Sequence, residues 1–150
     1  MSKSISFSVL GEPVAKQRPK ISTFGGFARA YTPTKTQNYE NKVLMSFQNE
    51  LKCDNYEDTY FGDSLVEMEI NVYFAIPKSC YCKKGLNKSG REKMDKIYCD
   101  THKDLDNIVK SILDGLNKVA FKDDKQVVKI NACKKWTTQM SRVEITIKEV

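Results

Sequence analysis

Residues 65 to 76, LVEMEINVYFAI, set Val66, Met68, Ile70, Val72, Phe74 and Ile76 on one side of the chain and Glu67, Glu69 and Asn71 on the other. A period of two predicts a strand with one buried face, ended at Pro77, which cannot donate to a ladder. SISFSVL (4–10) alternates in the same way, with Ile5, Phe7 and Val9 inward against serines, and stops at Gly11 and Pro13. Near the C-terminus QVVKINACKKW (126–136) and RVEITIKEV (142–150) alternate through Val128, Ile130 and Ala132 and through Val143, Ile145 and Ile147. Their closeness in the chain predicts a hairpin.

The period changes in two places. Tyr39, Val43, Phe47 and Leu51 recur every four residues, which predicts a helix over 35–52, with Thr34 and Gln37 spaced as a capping box. Ile108, Ile112 and Leu116, widened by Leu105 and Leu113, predict a second helix. Between the elements lie KQRPKISTFGGFARAYTPT (16–34), which has the Gly, Pro and basic content of a loop or irregular hairpin, and residues 78–103, which read as an exposed, basic connection. Two helices and about four strands, the strands split around the helices, predict one α+β (mixed α/β) domain over 1–150 with a single small mixed sheet. The pattern leaves the strand order open.

Composition narrows the setting. With 40% hydrophobic and 29% charged residues the chain is ordinary for a globular domain, and no apolar run approaches the ~20 residues that span a bilayer. The N-terminal stretch alternates instead of forming an apolar signal core, and five cysteines, an odd number, read as reduced thiols, so a cytoplasmic location is the default. A formal charge of +6, from 25 Lys and Arg against 19 Asp and Glu, suits a polyanionic partner.

Against that basic background, acid is concentrated in HKDLDNIVKSILDGLNKVAFKDD (102–124). Asp104 and Asp106 stand where extended chain becomes helix, and Asp123 and Asp124 lie beyond its other end. Asp124 can return to the first pair only if Lys118 to Lys122 doubles back or the next strand runs alongside. If they meet, three carboxylates without His or Cys form a hard oxygen site suited to Mg²⁺ or Mn²⁺ and not to zinc. Lys110, at i+4 from Asp106, stands next to it, a pairing that suits phosphoryl chemistry. The same residues also fit plainer roles: an N-cap for Asp104 or Asp106, a turn for Asp123 and Asp124, a salt-bridge partner for Lys110, and a solvated face for Asp114.

DLDNIVKSILDGLN followed by AFKDDKQV resembles the signature of the RusA family of Holliday junction resolvases, D-x-D-N-x-x-K, a helix, then D-D before a strand. GEPVAKQRPK, ARAYTPTKTQNYE, AIPKS with its Lys-rich continuation, and RVEITI resemble further family segments, so the likeness covers nearly the whole chain. It implies a homodimeric, Mg²⁺-dependent endonuclease that nicks two strands symmetrically across four-way junction DNA, leaving 5′ phosphate and 3′ hydroxyl ends. On this resemblance Asp104, Asp106 and Asp124 ligate the metal and Lys110 is the essential basic residue, while Lys16 and Arg18 contact phosphate. Lys20 and the central Lys83 and Lys84 extend the basic surface. Two departures stand out: Lys103 replaces a frequent Pro, and variable spacing before the acidic pair leaves Asp123 as a rival to Asp124.

Other classes are a catalytically idle junction-binding module, a less selective Mg²⁺-dependent nuclease, and a phosphotransfer or glycosyl-transfer enzyme built on the D-x-D, for which no Gly-rich phosphate loop is present. Cys80, Cys82, Cys99 and His102 supply four zinc-type ligands at an uncommon spacing, so zinc is not expected there. Phe24, Phe27 and Tyr31 could stack on unpaired bases, whereas Trp136 reads as a core or sheet-edge residue.

Overall fold

A computed structural model describes residues 2–51, 58–100 and 103–150. Its four-stranded sheet is built from β1 (Ser4–Leu10), β4 (Val66–Ala75), β7 (Val127–Thr137) and β8 (Arg142–Glu149), in the order β1-β8-β4-β7. The short strands β2 (Lys20–Ser22) and β3 (Arg29–Tyr31) pair with each other, as do β5 (Tyr81–Cys82) and β6 (Gly85–Leu86). The described residues also form three α-helices: α1 (Thr34–Glu50), α2 (Lys88–Lys96) and α3 (Leu105–Leu116). None of the described helices is long and apolar enough to cross a membrane. The α+β class expected from the periodicities is the one observed.

The core lies between one face of the sheet and helices α1 and α3. Ile5, Phe7 and Val9 of β1, the alternate residues Val66 to Phe74 of β4, and Val143, Ile145 and Ile147 of β8 are buried together with Tyr39, Val43 and Phe47 of α1 and Ile108, Ile112 and Leu116 of α3. Burying each such side chain is worth roughly 1.5–3 kcal/mol, so the two periodicities specify which faces meet. The opposite sheet face is polar: the Ser6 and Thr146 hydroxyls share a hydrogen bond at 2.9 Å, and the Arg142 guanidinium lies 4.2 Å from the Tyr73 ring centre.

Three expectations need correction. The last two strands form no hairpin, because β4 lies between them, parallel to β7 and antiparallel to β8. Four residues, 138–141, link β7 to β8, enough extended chain to step over the end of β4, where Pro77 has already broken the ladder. The Thr34–Gln37 capping box is absent: Pro33 is the N-cap of α1, and its carbonyl accepts the N–H groups of Thr36 and Gln37.

The third concerns 78–103, whose described residues are mostly exposed but include a helix, α2. The Asn87 side chain caps it by accepting the Gly90 N–H at 3.0 Å. Beyond α2, Cys99 N–H reaches the Lys134 carbonyl and Trp136 N–H reaches the Ile97 carbonyl, so the connection is zipped to the outer edge of β7. Trp136 is buried there, as a core or edge position requires, with the Lys93 ammonium 5.3 Å from its ring centre.

Candidate active site

The first turn of α3 leaves two carboxylates available. Asp104 is the N-cap residue, with extended backbone, yet its carboxylate caps no helix N–H and only accepts from the Asn107 amide at 3.4 Å. The carboxylate of Asp106, in the first turn and exposed, has no hydrogen bond or ion pair with any described residue. Two free anions at a helix N-terminus are tolerated because the unpaired N–H groups there carry partial positive charge.

The distal acid arrives by a reversal of the chain. After α3, Lys118 adopts φ +70°, its N–H donates to the Phe121 carbonyl at 2.8 Å, and the Val119 and Ala120 N–H groups return to the Leu116 carbonyl. Buried Ala120 and Phe121 anchor the turn, which Tyr60 and Phe61 pin through their N–H groups to the carbonyls of Val119 and Ala120. This is the doubling back that the sequence reading set as its condition. The two acids of the pair then separate in role. Asp123 accepts the Lys125 N–H at 3.0 Å and caps a 3₁₀ turn over Asp124–Gln126, a bond that holds its carboxyl below the ordinary carboxylate range. Asp124 instead faces α3, its Oδ2 3.4 Å from Lys110 Nζ.

Lys110 is shared. Its Nζ is also 3.5 Å from Asp114 Oδ1, and the nearby Asp114 charge, more than Asp124, raises its pKa against a smaller opposing effect of burial. Asp114 is no solvated face residue: its side chain is only 22% exposed, and its Oδ2 accepts from Lys16 Nζ at 2.8 Å. Lys16 in turn reaches Glu40 of α1 at 2.7 Å. The result is a chain of alternating charge, Glu40, Lys16, Asp114, Lys110, Asp124, that crosses from α1 through α3 to the turn. The ammonium of Lys16, expected at phosphate, is thus engaged by two carboxylates inside the protein.

The segment carrying Lys16 is tied down as well. Its backbone N–H donates to the Asn107 carbonyl at 2.8 Å, and the buried Ser111 hydroxyl donates to the Val14 carbonyl at 2.8 Å. Burial works against the Lys16 charge, but hydrogen bonds and attraction from Asp114 and Glu40 outweigh it and raise the pKa above 10.5. A raised folded-state pKa gives stability that is complete below the unfolded value and fades as pH climbs through the folded one. Lys16→Met is therefore expected to lower the urea midpoint at neutral pH, with the gap to wild type closing above about pH 10.5. Urea melts from neutral to strongly alkaline pH check this.

The other basic residues are free of this network. Arg18 and Lys20 are exposed on the stretch leading into β2, and Lys83 and Lys84 are exposed at the two-residue turn between β5 and β6. Lys103 is drawn inward, to Glu12 at 2.7 Å and the Pro13 carbonyl at 2.9 Å. Of the four zinc-type residues, Cys80 and Cys99 are buried, Cys82 is exposed, and His102 lies outside the described residues. Among the described residues no three His, Cys, Asp or Glu side chains stand close enough together to hold a metal ion, so the structure brings Asp124 to Lys110 but does not converge Asp104, Asp106 and Asp124.

Gln126 also escaped the sequence reading. Its buried amide accepts the N–H groups of Lys122 and Asp123 and donates to the Gly62 and Ser64 carbonyls, which fixes the turn bearing Asp124. The D-x-x-Q spacing of Asp123 and Gln126 was its signal, since it matches a capping box.

The family profile described as Endodeoxyribonuclease RusA matches residues 11–148, which takes in every residue of this charge chain. The chain is also 33% identical over 148 residues to the Bacillus subtilis (strain 168) protein named "Uncharacterized protein YqaN", covering 97% of this chain and 96% of that one. By both measures the chain belongs to the RusA endodeoxyribonuclease family.

Proposed function

We propose that this protein is a divalent-metal-dependent endonuclease that resolves four-way DNA junctions by paired, symmetric nicks. The observation that carries the reading is the return of Asp124 to Lys110, one helical turn from Asp106. A deoxyribonuclease family, a basic surface and an acid cluster with a lysine in its midst together favour phosphodiester hydrolysis. An idle DNA-binding module would gain nothing from carboxylates that repel phosphate.

Asp104, Asp106 and Asp124 are the residues that would hold Mg²⁺, or Mn²⁺ in its place. Their oxygens are the hard donors such ions prefer, and the two on α3 are largely unengaged. Bound there, the ion supplies Lewis acidity toward phosphate oxygen and acidifies water. The remaining work falls to the chain. Lys110, held to Asp114 and Asp124 only at 3.4–3.5 Å, is free to exchange a carboxylate for a phosphate oxygen and to offset the charge that builds there. Asp114, braced by Lys16 and Glu40, keeps the ammonium aimed across the site. Arg18, Lys20, Lys83 and Lys84 hold flanking phosphates and position the strand. A homodimer follows from the substrate, since a junction with two-fold symmetry offers two equivalent phosphates to a two-fold protein.

The test is cleavage of an end-labelled mobile four-way junction beside a linear duplex of the same sequence, in Mg²⁺ or in EDTA. Symmetric nicks in the junction, with none in the duplex and none in EDTA, are expected. Equal cutting of the duplex would reduce the reading to a general nuclease, and tight junction binding without cutting in either metal would leave a binding module.

A further inference from the structure

The β2–β3 ribbon is unlike the rest of the molecule. Its register pairs Lys20 with Tyr31, Ile21 with Ala30 and Ser22 with Arg29, and every residue from 23 to 31 is exposed. Phe24 at 95% and Phe27 at 72% exposure flank a tip in which Gly25 and Gly26 both adopt φ +82°. A Cβ at either glycine would meet nothing within 4 Å, so those residues serve the backbone reversal between the two exposed phenylalanines. Ile21, also 72% exposed, and Tyr31 add exposed apolar area nearer the root, on opposite faces of the ribbon. An isolated two-stranded ribbon is marginal in water, and rings placed on its tip leave apolar area exposed that a core would bury, so the arrangement calls for a partner.

Charge indicates which partner. Residues 13–39 contain Lys16, Arg18, Lys20, Arg29 and Lys35 and no Asp or Glu. Strand alternation sets Lys20, Arg29 and Tyr31 on one face of the ribbon. A protein-binding patch is poor in charge at its centre, whereas rings interleaved with cations match a nucleic acid strand, whose bases stack and whose phosphates take the cations. The root is fastened beside the acid cluster: Lys16 N–H is bonded to the carbonyl of Asn107, the neighbour of Asp106, and Gln17 N–H approaches Thr36 Oγ1 at 3.4 Å.

We infer that the β2–β3 ribbon enters the centre of the DNA substrate and holds it open, with Phe24 and Phe27 stacked on unpaired bases and Lys20 and Arg29 on the adjoining phosphates. The inference rests on the nuclease reading for its substrate, and the experiment separates the two. A four-way junction carrying 2-aminopurine beside the crossover is bound in Ca²⁺, where binding and base unstacking are read by fluorescence without cleavage. Wild type is expected to raise the fluorescence. The double variant Phe24→Ala with Phe27→Ala is expected to bind without that rise and to keep the wild-type melting temperature. In Mg²⁺ it is expected to nick a fully paired junction about ten- to a hundredfold more slowly, and to recover near wild-type rates on a junction with mismatched bases at the crossover. Three results would overturn the inference: no rise with wild type, an undiminished rise with the variant, or a change from dimer to monomer in the variant alone. A rise with wild type but no nicking in Mg²⁺ would instead uphold the ribbon and refute the nuclease reading.

Discussion

Asp124→Asn is expected to slow junction cleavage by at least about 100-fold while leaving junction binding intact, and Asp123→Asn is expected to leave the rate within a few-fold of wild type. The magnitude is that of removing one charge-stabilising group from an active site. The contrast follows from two adjacent carboxylates with different partners. Asp123 faces the Lys125 N–H and closes a capping box with Gln126, a task asparagine performs nearly as well. Asp124 faces Lys110 at 3.4 Å, and its negative charge, which the amide lacks, both attracts that lysine and suits a divalent cation. Single-turnover cleavage rates of the two variants, beside their binding measured in Ca²⁺, decide between them. Comparable losses in both, or a loss confined to Asp123→Asn, would place the third acid wrongly.

The largest stability effect is expected at Gly115, on the face of α3 that meets α1. A Cβ built there falls 2.7 Å from the Glu40 carbonyl oxygen and 3.2 Å from Val43 Cβ, so the backbones of the two helices are in contact. Alanine in place of glycine gains about 1 kcal/mol of helix propensity. The clash is with main chain, which cannot swing aside, so the helices must part, at a typical overpacking cost of about 1–3 kcal/mol. The second effect outweighs the first, and Gly115→Val, with more bulk and poorer propensity, widens the margin. A fall in Tm of roughly 2–4 °C for each net kcal/mol is expected, larger for valine than for alanine. Because Glu40 anchors Lys16 and through it Asp114, the displacement also reaches the site, and cleavage is expected to fall with stability. Calorimetric melts with cleavage rates on the same variants test both. A Gly115→Ala variant more stable than wild type would mean that α1 and α3 are not in this close contact.

Much of this architecture could be read from residue order because the physics involved is local. Alternation in SISFSVL and LVEMEINVYFAI, and four-residue recurrence from Tyr39 to Leu51, each bury one face whatever the neighbours are, and those segments are β1, β4 and α1. Strand order is a property of the assembled sheet. Two alternating segments close in sequence resemble a hairpin whether or not a third strand slips between them, as β4 does. Helix α2, KSGREKMDK, buries only Gly90 and so has no apolar stripe to reveal it.

At the site, D-x-D and D-D were visible as acids, and their resemblance to a family motif singled out Asp104, Asp106 and Asp124 as candidates. That Asp124 and not Asp123 faces Lys110 depends on the left-handed Lys118 and on Gln126, which is seen only once the turn is built. Asp114 was visible four residues after Lys110, but its second partner, Lys16, lies almost a hundred positions away in sequence and only 2.8 Å away in space.

The most direct test of the central claim, that this acid cluster cuts junction DNA, compares wild type with Asp106→Asn on a single end-labelled four-way junction in Mg²⁺, with binding followed in parallel. Asp106 is exposed and has no partner among the described residues, so the substitution leaves the fold intact. Paired symmetric nicks by wild type, and none by the variant despite junction binding at wild-type affinity, is the predicted result. Undiminished nicking by Asp106→Asn would contradict the account, because the carboxylates at the head of α3 would then be no part of the chemistry.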